Sequence, residues 1–156
     1  MPVRPATNDD IPDLFAMAME LAAFQQFDAA HVTISREHYA KDFQDGCFRA
    51  FVAIDEETGK TAGMVLCRDT YDCWKGKTMN QMVVRPEYRK KKLGKQLWAA
   101  VAEAAKEKAV AYLIWDVLDW NKPTRGFYES VAGVTEIKND KGLLQYMMSR
   151  EGIEQF

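Results

Sequence analysis

Apolar residues recur along this chain at two spacings, and the alternation between them predicts a mixed α/β fold. Ile11, Leu14, Phe15, Ala18, Leu21 and Ala22 follow one another at three- and four-residue steps, the period of one helix face, which predicts a helix through about Phe24. Thr7, three residues before Asp10, resembles a capping box with Asp in the usual Glu position and marks the start of that helix. The polar stretch from Gln25 to Thr33 reads as a loop. Ser35 is placed to cap a second helix that runs to about Phe43 and stops at Asp45-Gly46.

The pattern then turns strand-like. Phe48 to Ile54 and Thr61 to about Thr70 flank the turn residues Asp55 to Lys60 and predict an antiparallel hairpin, with Gly76 to Val84 as the next strand. Past a basic stretch, Leu93, Leu97, Ala100, Val101, Ala104 and Ala105 share one side of a long helix. Ala111 to Leu118 reads as an apolar strand, and Asn121 to Val131 as a short helix with Pro123 in its first turn. Val134 to Ile137 and Leu143 to Met148 are expected to close the sheet across a turn at Asn139 to Gly142. With the extended Pro2 to Pro5 in front, and no repeat or linker, the whole of residues 1–156 is expected to be one domain.

Composition narrows this picture. The chain has 156 residues, 47% of them hydrophobic, which suffices for one core and is too short for two ordinary domains. A net charge of -2 gives no overall pull toward nucleic acid or anionic lipid, so any basic surface must be local. The start at Met1-Pro2-Val3-Arg4 lacks a signal-type apolar core and no run reaches bilayer-spanning length. Cys47, Cys67 and Cys73 form an odd set without metal-ligand spacing, and His31 and His38 are the only histidines. A cytoplasmic protein without a metal site is expected.

The chemistry concentrates after the fourth strand. Gln81-Met82-Val83-Val84-Arg85-Pro86-Glu87-Tyr88-Arg89-Lys90-Lys91-Lys92-Leu93-Gly94-Lys95 is a strand that runs into a basic turn and opens a helix. The amides at a helix start are unpaired and the dipole there is positive, so such a turn can hold a diphosphate, with lysines and arginines adding attraction. Alone, the same run equally describes a solvated face or a nucleic-acid patch. The stretch from Val117 to Tyr128 repeats the strand, polar turn and helix, and two parallel strands ending side by side would frame a cleft.

These segments together resemble the GNAT acetyltransferases, closest to the small-amine branch that contains the spermidine/spermine and thialysine N-acetyltransferases. The likeness covers nearly the whole chain: the opening Val3-Arg4-Pro5-Ala6-Thr7, the Asp-x-Trp-x-Gly-Lys segment at Asp72 to Lys77, Val84 to Arg89, and Trp120-Asn121 with Pro123 and Phe127-Tyr128 fall in the family's order. The resemblance implies a central mixed, mostly antiparallel sheet of about six to seven strands with a V-shaped splay, flanked by about four helices. It implies acetyl-CoA as cofactor, a small-molecule amine acceptor attacked directly, and a homodimer.

Residue by residue, the family's pyrophosphate loop falls on Arg89, Lys90, Lys91, Lys92, Leu93 and Gly94, with Lys95 following, and Lys92 stands where the family has its first glycine. The main chain of Met82, Val83 and Val84 is expected along the acyl and pantetheine groups, with Asn121 and Thr124 near the pantetheine arm or the adenosine side. Tyr128 falls on the family's general acid, which protonates the departing thiolate.

Where the polyamine branch offers an acidic pair, this chain has Asn80 and Gln81, neither of which is a base. An ammonium with pKa of roughly 10 must lose its proton before it attacks. Either water ordered by Asn80 carries that proton away, or Asp116, read here inside an apolar strand, accepts it. Alternation puts Ile114 and Asp116 on one face, expected to look into the acceptor site. Asp28, Trp74, Asn80, Gln81, Ile114 and Asp116 are the candidate acceptor contacts, with His31 and Asp72 beside them. The loop after the first helix is poor in acid, so a lysine- or thialysine-like amino acid or a diamine is preferred over a polyamine. The competing readings are a peptide or protein amine as acceptor, an acyl-CoA-binding protein without catalysis, and a nucleic-acid module. The last is weakened because no aromatic residue interleaves the lysines.

Overall fold

The turn between Asp55 and Lys60 organises the sheet. The Asp55 carbonyl accepts the Gly59 amide at 2.7 Å, Gly59 taking φ +67°, where a side chain is disfavoured, and the Glu57 amide donates to the Asp55 carboxylate at 3.0 Å. Out of this turn run β2 (Arg49–Ile54) and β3 (Thr61–Asp72), antiparallel, with Val52 opposite Met64. β1 (Val3–Pro5) pairs with β2 and β4 (Gly76–Val83) with β3, both antiparallel, while β5 (Tyr112–Trp115) joins β4 in parallel. Among the described residues the result is a five-stranded sheet in the order β1-β2-β3-β4-β5. The helices are α1 (Ile11–Phe24), α2 (Arg36–Gln44), α3 (Leu93–Glu107) and α4 (Lys122–Glu129).

This computed structural model describes residues 2–27, 30, 32–83, 93–137 and 153–154, with the backbone alone for 81–83. The chain divides into two compact units, Met1–Leu118 and Asp119–Phe156. Among the described residues the first holds β1 to β5 with α1, α2 and α3, and the second holds α4.

Strand alternation sorts the core of the first unit into two layers. Ala50, Val52 and Met64 pack with Ile11, Leu14 and Met17 of α1 and Tyr39 of α2. Ala53, Val65, Cys67 and Met79 lie on the other side with Leu93, Leu97, Val101 and Ala105 of α3. Each fully buried Leu or Val contributes about 1.5–3 kcal/mol through water removed from its side chain. Burial pushes the Cys67 thiol up to about 11, so this cysteine is a small core hydrophobe rather than a nucleophile.

The capping box before α1 closes as expected. Asp10, 8% exposed, accepts the Thr7 amide at 2.8 Å, the Thr7 hydroxyl at 3.1 Å, and two guanidinium bonds from Arg4 at 2.7 and 2.9 Å. The Arg4 bonds hold the Asp10 carboxyl below its ordinary value against the opposing effect of burial. A depressed carboxylate contributes stability that is present above its unfolded pKa of about 4 and lost as pH falls through the lower folded value. Asp10→Asn is therefore expected to cost about 2 kcal/mol at neutral pH and to flatten the acid limb of the stability curve, as read by thermal melts between pH 7 and pH 2.5.

Four expectations are corrected among the described residues. The sheet has five strands rather than six to seven. Val134–Ile137 is irregular; the expected strand Leu143–Met148 and the turn at Asn139–Gly142 lie outside the described residues. β5 ends at Trp115, so Asp116, Val117 and Leu118 follow the strand instead of completing it. The Asp72 end of β3 runs two residues past the expected Thr70, because Tyr71 and Asp72 pair with Lys77 and Gly76. No described helix is long and apolar enough to cross a membrane.

Candidate active site

α1 and α2 cover β2 and the first half of β3, and beyond Leu66 the same sheet face turns polar. There Arg68 stands opposite Asn80, Thr70 opposite Thr78, and Asp72 opposite Gly76. On the far side of β4, Thr78 faces Tyr112 and Asn80 faces Ile114. The structure thus makes Asn80 and Ile114, both expected at the acceptor, direct neighbours, each half-buried.

A hydrogen-bonded group fills the rest of this face. The Tyr112 hydroxyl donates to Asp72 Oδ2 at 2.6 Å, and Asp72 Oδ1 accepts the amides of Trp74 at 2.7 Å and Lys75 at 3.0 Å. The Thr70 and Thr78 hydroxyls share a hydrogen bond, and the Lys75 ammonium sits 5.3 Å from the centre of the Tyr112 ring. The Tyr112 bond, and after it the Trp74 amide, hold the Asp72 carboxyl below its usual range; the same bond to a carboxylate raises the Tyr112 phenol. Asp72 thus closes the turn before Trp74. Trp74 itself is 92% exposed and packs on nothing described. Sequence reasoning missed Tyr112, although its alternation with Ile114 on the same strand was the available signal.

The pairing of β4 is unequal on its two sides. With β5 the ladder ends at Gln81 opposite Trp115, whereas with β3 it continues through Met82 opposite Leu66 and Val83 opposite Val65. Among the described residues, the main chain of Met82 and Val83 therefore has no ladder partner on the β5 side. Backbone amides and carbonyls left there suit an extended ligand that carries amide groups of its own, which fits the pantetheine arm of acetyl-CoA.

The helix-start half of the expected cradle is described only from Leu93 onward; Val84 and Arg89, Lys90, Lys91 and Lys92 lie outside the described residues, as do Asp28 and His31. Leu93 is fully buried in the α3 layer, Lys95 is exposed, and nothing described comes within 4 Å of where a Cβ on Gly94 would stand. The Trp98 and Trp115 rings meet edge to face, 4.7 Å between centres, and tie α3 to the end of β5. Asp116, one residue on, is exposed. Its carboxylate therefore carries no burial cost, since water solvates the charge where the strand was expected to exclude it.

In the second unit, the Asn121 carbonyl accepts the amides of Thr124 at 3.1 Å and Arg125 at 3.0 Å and so starts α4, with Pro123 in the first turn where a missing amide costs nothing. Asn121, Thr124 and Tyr128 are half-buried, and the Tyr128 ring lies 5.5 Å from that of Phe127. Among the described residues, no cluster of histidine, cysteine and carboxylate side chains could hold a metal ion.

Comparison with known proteins agrees with this geometry. Residues 14–134 match the model of the acetyltransferase (GNAT) family. The chain is 32% identical over 152 residues to the thialysine N-epsilon-acetyltransferase of Caenorhabditis elegans, covering 96% of this chain and 92% of that protein. It is 28% identical over 163 residues to the protein of the same name from Mus musculus, covering 98% and 95%. In fold it is similar to an aminoglycoside acetyltransferase, meta-AAC0020, from an uncultured soil metagenomic sample, with TM-score 0.74 at 16% identity and 95% of both chains covered. It is also similar to the aminoglycoside N-acetyltransferase AAC(6')-Iy in complex with CoA, with TM-score 0.69 at 16% identity and 95% and 99% covered. With the family model spanning most of the chain and a curated relative above 30% identity along nearly all of it, the chain belongs to the acetyltransferase (GNAT) family and is an N-acetyltransferase.

Proposed function

We propose that this protein transfers acetyl from acetyl-CoA to a small primary amine, a lysine- or thialysine-like amino acid or a diamine in preference to a polyamine. The observation that carries the reading is the extension of β4 to Val83 past its last pairing with β5 at Gln81 and Trp115. The thialysine N-epsilon-acetyltransferases among its relatives support the acceptor class.

Bound acetyl-CoA supplies an acetyl group activated as a thioester. The main chain of Met82 and Val83 aligns the pantetheine arm, and an amide of this stretch donates to the carbonyl oxygen as negative charge gathers on it. Gln81 closes the acceptor end of the same strand. Asn80, at the edge of the polar face, holds the water that takes the ammonium proton. Trp74 stands as a wall for the acceptor chain and Asp28 as a partner for a second amino group. Asn121 and Thr124 steady the pantetheine arm, and Arg89, Lys90, Lys91, Lys92 and Lys95 neutralise the diphosphate with the Leu93 and Gly94 amides. Tyr128 gives the proton that the thiolate takes as it leaves.

A thioester-consumption screen with lysine, thialysine, diamines, polyamines and peptides tests the reading. Consumption with the short amines is expected; CoA binding with no consumption in any well would leave a binding protein instead. Two variants separate the proton acceptors. Asn80→Ala is expected to lower kcat/KM about ten-fold or more, and Asp116→Asn, at a solvated position, less than about three-fold. The reverse ranking, read across pH 6 to 10, would give the proton to Asp116.

A further inference from the structure

The sheet face that carries Asn80 holds an arginine with nothing to pair with. By alternation Leu66, Arg68, Thr70 and Asp72 of β3 share this face with Thr78 and Asn80 of β4 and with Tyr112 and Ile114 of β5. Among the described residues of these three strands, its charged side chains are Arg68 and Asp72. Asp72 is taken: one oxygen accepts the Tyr112 hydroxyl and the other the amides of Trp74 and Lys75. Asp69, next to Arg68 in sequence, belongs to the opposite face, where Arg49 at 2.8 Å and Lys108 both bind it. Arg68 is exposed and has no ion pair or hydrogen bond from its side chain among the described residues.

The register gives that guanidinium its meaning. Arg68 stands directly opposite Asn80, about 5 Å away across the ladder. Asn80 lies two residues, about 7 Å, before Met82, whose main chain is assigned above to the acetyl group. A guanidinium stays charged at any working pH and presents its donors as a rigid fork that matches a carboxylate. On a face that receives an ammonium, such a cation repels the acceptor unless the acceptor also carries an anion. The extended side chain of lysine sets its terminal nitrogen about 7.5 Å from its carboxylate carbon. With that nitrogen beside Met82 and the chain laid along β4, the carboxylate arrives at Asn80, within reach of the Arg68 fork. A diamine of the same length brings a second ammonium there instead.

We propose that Arg68 selects the acceptor by charge: it binds the α-carboxylate of an amino acid whose side-chain amine is acetylated, and it disfavours the diamine that lacks one. This rests on the acetyl-transfer reading above and narrows its acceptor class to amino acids.

The test uses the full chain, acetyl-CoA and three acceptors with the same reacting end: L-lysine, L-lysinamide and 1,5-diaminopentane. L-lysine is expected to exceed each of the others at least ten-fold in kcat/KM. Arg68→Gln raises KM for L-lysine at least ten-fold with a much smaller change in kcat, the pattern of binding lost equally from ground and transition states. It also brings the three acceptors within about three-fold of one another. Arg68→Glu puts 1,5-diaminopentane first, and Arg68→Lys, which keeps the charge without the fork, restores part of the preference for L-lysine. Because Arg68 is exposed and unpaired, each variant melts within about 2 °C of the parent.

Equal kcat/KM for L-lysine and L-lysinamide in the parent overturns the proposal and leaves acetyl transfer standing. So does a preference for L-lysine that survives Arg68→Gln. Transfer to no amine at all overturns the acetyl-transfer reading and the acceptor role with it. NMR titration with Nε-acetyl-L-lysine then separates the two parts: binding at least five-fold weaker in Arg68→Gln supports a carboxylate site at Arg68, and equal binding overturns that as well.

Discussion

Tyr128→Phe is expected to lower kcat about a hundred-fold and to leave KM for acetyl-CoA nearly unchanged. A departing CoA thiolate needs a proton, and in the absence of a side chain it must come from water, with a pKa near 15.7. A phenol with pKa of about 10 is a far better donor to a thiolate whose conjugate acid lies near 8.5. The phenylalanine keeps the ring that meets Phe127 at 5.5 Å and removes the hydroxyl alone, so packing within α4 is retained. Steady-state rates with two acceptors of different basicity measure the effect, and far-ultraviolet circular dichroism confirms the fold. A change in kcat below three-fold for both acceptors would take Tyr128 out of the chemistry.

Leu97→Ala is the variant with the largest expected effect on stability. Leu97 is fully buried on α3, in the layer formed with Val65, Cys67 and Met79 of the sheet. Truncating it removes transfer energy and leaves a cavity, together about 3 kcal/mol. For a chain of this size that lowers the melting temperature by roughly 6–12 °C. The functional consequence follows from position. Leu93 and Leu97 are successive buried turns at the start of α3, so they hold the helix that the basic turn opens into. Leu97→Ala is expected to weaken CoA binding as well as stability, whereas Ala100→Ser, at a half-buried position of the same helix, changes neither by much. A melting temperature within 2 °C of the parent would show that α3 is not anchored through Leu97.

Helix periodicity was legible because one face of each helix is buried and the other is wet. The α3 stripe at Leu93, Leu97, Val101, Ala104 and Ala105 is buried as expected. In α1, Ile11, Leu14 and Leu21 of the expected stripe are buried, Met17 joins them on the face that meets the sheet, and Phe15, Ala18 and Ala22 are half-buried. The strand after α3 was read too long for a different reason. Val117 and Leu118 have strand-like side chains, but β5 extends only as far as β4 pairs with it, and that ladder ends at Trp115. The misplaced strand end carried Asp116 with it, from an expected apolar interior into solvent.

By itself the sequence determined the order and kind of the elements from β1 to α4, the cap at Asp10, the turn at Asp55 to Lys60, and a family likeness strong enough to name the chemistry. Those features depend on residues near one another in the chain, through helix period, strand alternation and turn geometry. Only the tertiary structure decided that β4 outruns β5, that Asp72 is bonded to Tyr112, and that Asn80 stands beside Ile114. Each of these joins residues far apart in sequence, where the register of one strand against another fixes which side chains meet, and no local pattern encodes that register.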